Sequence, residues 1–215
     1  MSEIYDVLAG GGVAILQTDT VYGLAALPGS RGYDEIFALK KRPAEQALPW
    51  LVSGVEALAA YADSPSEYTL RLAETFWPGA LTLIVRASKA AIELGGVADD
   101  GSLALRCPDR RELIELMQRL ERPLACTSAN EHGATDTMLP SLLPTRMLEL
   151  PGAASLEPLA VGTSASSIVD CTGDCPRILR EGPIPSQVLL DVAIYGATLV
   201  GRAATREHDA KNQKG

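Results

Sequence analysis

Short apolar runs of strand length alternate with segments of helical period along most of this 215-residue chain, and that alternation constrains the fold most. GVAILQ (12–17) follows a glycine triplet and predicts a strand. GYDEIFALKKR then spaces Ile36, Phe37 and Leu39 at helical period and stops at Pro43. ALPWLV (47–52) predicts a second strand, and its proline places it near a sheet edge. VEALAAYA and SEYTLRLAETF are helical, ALTLIVRA (80–87) and GSLALR (101–106) extended. PDRRELIELMQRLERP sets Leu113, Leu116, Met117 and Leu120 on one face among alternating charges, the pattern of an amphipathic helix. PLACT, SSIVD and RILR supply further strands. Strands parted by helices define an α/β domain, and strand pairs without an intervening helix require a mixed parallel and antiparallel sheet.

Residues 1–201 are expected to form one domain. From Arg202 onward RAATREHDAKNQKG loses apolar content, so 202–215 is expected to be a frayed polar tail. Between Glu131 and Thr163 the chain is rich in Pro, Gly, Ser and Thr around a few leucines, which predicts a long loop or lid holding a short helix. With 47% hydrophobic and 21% charged residues, disorder is excluded for most of the length. The net charge of −8 opposes a protein devoted to wrapping nucleic acid, though it leaves room for a local basic pocket.

Cys107, Cys126, Cys171 and Cys175 are too few and scattered for a disulfide framework. Cys171 and Cys175 have no histidine near them to complete a metal site, so no protein-held metal is expected. The N-terminal residues lack the basic and apolar regions of a signal peptide, and no run approaches membrane-spanning length. A cytoplasmic location is the corresponding expectation.

Polar residues concentrate at expected strand ends, where open α/β sheets bind ligands. Thr18, Asp19 and Thr20 follow the first strand; they suit a turn or cap as well as a ligand contact. LKKRP closes a helix with three cations, either a solvated helix end or a phosphate clamp. TSAN is either a self-bonded turn or a nucleotide-facing rim, and SASSIVD with RILREG repeats the combination of hydroxyls and arginines. The chain has neither a P-loop nor a dinucleotide fingerprint, and His132 and His208 offer no triad. His132 is expected to be an exposed loop residue.

Taken in order, QTDTVYGLAA, LKKRP, WPGALTLIV, LALRCPD, TSANEHG, and SSIVD with ILREG resemble the signature segments of the YrdC-like family of threonylcarbamoyl-AMP synthases, in its short form. The resemblance implies a twisted mixed sheet with flanking helices around a large, concave, positive cavity. It implies conversion of L-threonine, bicarbonate and ATP to threonylcarbamoyl-AMP and pyrophosphate, for later modification of tRNA adenosine. Lys40, Arg42, Ser128 and Asn130 match the family's K-x-R and S-x-N pairs at the triphosphate and reacting centre. Gln46, Ser102 and Arg180 would join them around ATP, and Thr20, Arg106 and Ser166 around threonine. Mg²⁺ would be carried by ATP; tRNA or tRNA-modification proteins are further partners, and no membrane is involved. The chain departs from the family pattern at Gln17 and Ala47, where prolines are usual, and at Leu51, where many members carry histidine. A paralogue that binds RNA with the same cavity, or that uses another amino acid, is the alternative.

Overall fold

The structure is a computed structural model in which residues 1–41, 47–131, 133–135, 137, 139–160 and 164–196 are described. In chain order they form α1 (Ser2–Ala9), β1 (Ala14–Gln17), β2 (Tyr22–Ala26), α2 (Arg31–Lys40), β3 (Trp50–Leu51), α3 (Ala57–Tyr61), α4 (Glu67–Phe76) and β4 (Leu81–Arg86). There follow α5 (Lys89–Leu94), β5 (Ser102–Arg106), α6 (Arg111–Leu120), β6 (Leu124–Ser128), α7 (Thr145–Leu148), β7 (Ser167–Asp170), β8 (Arg177–Arg180) and α8 (Ser186–Tyr195). Serine caps begin three helices: Ser30, Ser66 and Ser88 accept from the backbone N–H of Tyr33, Thr69 and Ala91, satisfying donors that a helix start leaves open.

Among the described residues the strands make one mixed sheet, in the order β1-β2-β6-β3-β5-β4-β7-β8. Its pairs are antiparallel except β3 with β5 and β4 with β7. The edge position expected for the proline-marked strand is wrong: β3 lies inside the sheet, between β6 and β5. Pro49 stands just before the strand, where its missing N–H breaks no ladder, and its carbonyl accepts from the Cys126 N–H at 2.8 Å. YGLAA, for which the sequence reading gave no strand, forms β2 and closes a hairpin with β1. α1, α5 and α8 have no counterpart in the sequence reading.

Alternation along the strands explains where the site lies. Ile15, Leu24, Ala26, Leu81, Leu83, Val85, Leu103, Leu105 and Val169 point to one face and join the main core with residues of α2, α3, α4 and α8. On the opposite face Ala14, Leu16, Ala25, Leu124 and Cys126 pack against Ile4 and Leu8 of α1 and Leu113, Leu116 and Met117 of α6. The neighbouring positions on β4, β5 and β7 instead present Thr82, Ile84, Ala104, Arg106 and Ile168 to a cavity of about 400 Å³. One face is fully covered, the other only in part, and the uncovered part is the concavity.

The expected loop does contain a short helix, α7, flanked by single 3₁₀ turns at Pro140–Leu142 and Ala153–Ser155. Its middle is docked. Met147 and Leu143 are buried, and the Ile15 N–H donates to Pro151 O at 2.9 Å, covering the outer edge of β1. Gly152 adopts φ +96°, and a Cβ there would fall 2.2 Å from the Ile15 carbonyl oxygen, so close docking requires glycine. Downstream, Glu157 is tied to the first hairpin: its N–H donates to Gln17 Oε1 and its carbonyl accepts from the Tyr22 hydroxyl. The expected tail, 202–215, lies outside the described residues.

Candidate active site

Thr18, Asp19, Thr20 and Val21 form the turn of the β1–β2 hairpin, and Thr18 organises it. Its hydroxyl donates to Val21 O at 2.7 Å and accepts from the backbone N–H of Thr20 and Val21. Thr18 has a single hydroxyl proton, and that bond uses it. The Thr18 and Thr20 hydroxyls lie 3.1 Å apart. Thr20 Oγ1 accepts from Arg106.

Arg106, at the end of β5, is 6% exposed. Its Nε donates to Gly79 O at 3.0 Å, Nη1 to Thr20 and Nη2 to Asp19 Oδ1. Gly79 comes from the WPG turn, which is itself fixed by the Trp77 indole on Leu81 O and by the Gly79 N–H on Cys107 O. Burial pushes the Arg106 guanidinium below its usual pKa, and the adjoining Asp19 carboxylate draws it back up.

Lys40, the last residue of α2, is 2% exposed and reaches across to the end of β6. Its ammonium donates to Ser128 O, to Asn130 O at 2.8 Å and to Asn130 Oδ1 at 2.7 Å. Ser128 Oγ donates to the same Asn130 Oδ1, and Asn130 Nδ2 donates to Ala134 O. TSAN is thus a self-bonded turn, and its Ser128 also lines the cavity. Gly23 permits this placement. It pairs with Ser128 across β2 and β6, and a Cβ on it would lie 2.5 Å from Cys126 Sγ. Glu131 continues the rim, accepting from Lys41 and from Arg146 of α7; the Lys41 contact, with Arg146 beside it, holds its carboxyl below the usual range.

Ser166 closes the other side. Its hydroxyl lies 2.8 Å from Thr82 Oγ1, and Arg180 donates through Nε to Ser166 O. Ser166 is buried, whereas Arg180 is exposed on the outer strand at the cavity mouth. Thr20, Arg106, Ser128, Ser166 and Arg180 therefore share one cavity, and Lys40 and Asn130 stand directly behind Ser128. Ser102 is not among the lining residues: it sits at the opposite end of β5 from Arg106, beside Asp100 and paired with Arg86. Arg42, Gln46 and His132 lie outside the described residues.

Two participants escaped the sequence reading. Thr82 was hidden in an apolar strand, and the available signal was its alternation with Leu81 and Leu83, which turns it away from the core. Asp19 was read as a turn or cap residue or a ligand contact, not as the partner of Arg106, which is 87 positions away. The charged residues lining the cavity are Arg106 and Arg180, and no carboxylate lines it among the described residues. Val21, Leu51, Ile84, Ala104 and Ile168 give it an apolar floor.

Cys126 also lines the cavity, but burial pushes its thiol up to about 12, as it does those of Cys107 and Cys171. A protonated thiol is a poor nucleophile. In the native protein an aromatic disulfide reagent should accordingly label the exposed Cys175 first, with the other three reacting only on denaturation. Rapid native labelling of Cys126 would contradict this arrangement.

The sequence model of the Sua5/YciO/YrdC family, described as "Telomere recombination", matches residues 6–182. A threonylcarbamoyl-AMP synthase of Pyrococcus abyssi is 29% identical over 88% of this chain, which spans 58% of that protein's length. A Mycobacterium leprae protein provisionally named for the same activity is 31% identical, over 90% of this chain and 88% of its own. The crystal structure of P. abyssi Sua5 complexed with L-threonine superposes with a TM-score of 0.73 at 27% identity, covering 89% of this chain and 56% of that one. With a family model spanning most of its length, this chain belongs to the Sua5/YciO/YrdC family.

Proposed function

We propose that the chain makes threonylcarbamoyl-AMP and pyrophosphate from L-threonine, bicarbonate and ATP. The observation that carries this reading is that Arg106 and Thr20 face the same cavity as Ser128 and Arg180, so an amino acid and a nucleotide can meet in one place. Its volume of about 400 Å³ is in the usual range for small-molecule sites. The relatives carry this activity in their names, and the P. abyssi protein binds threonine.

The chemistry follows from the donors present. Threonine and bicarbonate yield a carbamate with loss of water; its oxygen forms a bond to the α-phosphorus of ATP as the bond to pyrophosphate breaks. No enzyme nucleophile is required, in keeping with a neutral Cys126. The site must orient two anions and stabilise charge on phosphate oxygens. Arg106 has two N–H groups left for the threonine carboxylate, one on each Nη. The Thr20 hydroxyl suits the threonine amine or hydroxyl. Lys40 presents charge and holds the Ser128–Asn130 turn toward the triphosphate; Arg180 meets the nucleotide at the mouth, with Arg42 and Gln46 as further contacts carried from the family. Mg²⁺ supplies charge neutralisation on the triphosphate. A wall of hydroxyls and guanidiniums without carboxylates leaves that ion on phosphate and water oxygens. The product would serve as donor of the threonylcarbamoyl group to tRNA adenosine, through a separate transferase.

The test is pyrophosphate release with one component omitted at a time. Release should require threonine, bicarbonate and ATP together. Release that is indifferent to threonine would refute the assignment of the amino acid.

A further inference from the structure

We infer that Asp19 is a positioning residue for this reaction, acting through Arg106 to hold its guanidinium in the one orientation that offers a carboxylate-binding pair of N–H groups. The inference rests on the proposed function for the identity of the ligand, but its structural basis does not.

Arg106 lines the cavity and Asp19 does not. The two form an ion pair whose side chains are 7% and 17% exposed, so the contact is largely shielded from water. A guanidinium has five N–H groups in a rigid plane. Three are fixed from three different places: the WPG turn takes Nε, the hairpin hydroxyl takes Nη1, and Asp19 takes Nη2. Gly79 O and Thr20 Oγ1 are neutral acceptors; among the described residues Asp19 is the one carboxylate that meets Arg106. It therefore both sets the plane and offsets the cost of burying the charge, a cost that otherwise favours turning the side chain out to solvent. The remaining N–H on each Nη has no acceptor among the described residues. These are the N–H groups left for a ligand carboxylate.

The hairpin extends this control to Thr20. Arg106 donates to Thr20, whose hydroxyl lies 3.1 Å from that of Thr18, and Thr18 donates to Val21 O. If Arg106 turns away, Thr20 loses its donor and its hydroxyl is no longer fixed toward the ligand. Asp19 thus governs Arg106 and Thr20, two of the three residues assigned to threonine, and has no hydrogen bond to Ser128 or Asn130 among the described residues.

The experiment is a double-mutant cycle. In Asp19→Asn the KM for threonine should rise about tenfold or more, with the KM for ATP changing less than about twofold. In Arg106→Gln the same loss should appear, and adding Asp19→Asn to it should change the threonine KM by less than about twofold, because nothing remains to be positioned. Equal shifts for threonine and ATP, or losses that multiply in the double variant, would overturn the inference. Should Asp19→Asn alone fail to fold, Asp19→Glu takes its place: it keeps the charge but moves the carboxylate, so the threonine KM should still rise, and an unchanged threonine KM would overturn the inference. Side-chain ¹⁵N spectra supply a readout independent of turnover: the Arg106 N–H signals should be sharp in the native protein and broadened in Asp19→Asn. Unchanged signals would count against Asp19. Absence of threonine-dependent turnover in the native protein would count against the proposed function, and the spectra would then judge Asp19 alone.

Discussion

Replacing Arg106 with alanine is expected to raise the threonine requirement far more than the ATP requirement, with kcat/KM for threonine falling about 100-fold or more. The side chain lines the cavity and keeps two N–H groups for a carboxylate. Stability should fall as well, by about 3 kcal/mol, because Asp19 is left in a largely buried position without its partner. A loss of that size leaves most domains folded under mild conditions, since native stabilities are typically about 5–15 kcal/mol. Steady-state kinetics below the variant's melting temperature separate the effects. Equal rises in the two KM values would contradict a carboxylate contact.

The second large effect is expected at Lys40. Methionine has nearly the same length and suits a site that is 2% exposed, so Lys40→Met should keep the fold, with a stability change within about 2 kcal/mol. The catalytic consequence should be much larger. Ser128 O, Asn130 O and Asn130 Oδ1 converge on one ammonium, and its loss both releases the turn that carries Ser128 and removes the charge behind it. ATP-dependent turnover should drop by about 100-fold or more, the scale seen when one charge-stabilising donor is removed. Lys40→Arg should not restore it, because a planar fork cannot send three donors to three convergent oxygens as an ammonium does. Full activity in either variant would show that the Ser128–Asn130 turn holds its shape without Lys40.

The sequence carried the fold where periodicity was undisturbed. α6 has a single apolar stripe and lies where its pattern predicts; β4 to β8 also lie within or close to their predicted runs. β2 was illegible because its residues are buried on both faces, so no alternation marks YGLAA as a strand. β3 was misplaced for a different reason. Proline argues for an edge only when it lies within the strand, and Pro49 precedes it. The loop from Glu131 was recognised by composition, but not its docking on the β1 edge, which depends on Gly152 meeting Ile15 at a distance in sequence.

For the site, the motifs pointed to residues that do meet in space, Thr20, Arg106, Ser128, Ser166 and Arg180. The motifs could not give each residue's use of its donors. Lys40 was expected to face a phosphate directly, whereas here it is buried beneath the turn it holds. Arg106 was expected to face threonine, which it can do with two of its five N–H groups because Asp19, Thr20 and Gly79 take the rest. Such divisions of labour arise from contacts spanning about 90 positions, as between Lys40 and Asn130, and local pattern does not encode them.

The central claim, that this cavity joins threonine, bicarbonate and ATP, is tested most directly by following the carbon of labelled bicarbonate. Incubated with threonine and Mg·ATP, the protein should place that label in an adenylate that also contains threonine, with pyrophosphate formed in equal amount. An adenylate lacking the bicarbonate carbon, or none under conditions where a known synthase forms it, would contradict the account.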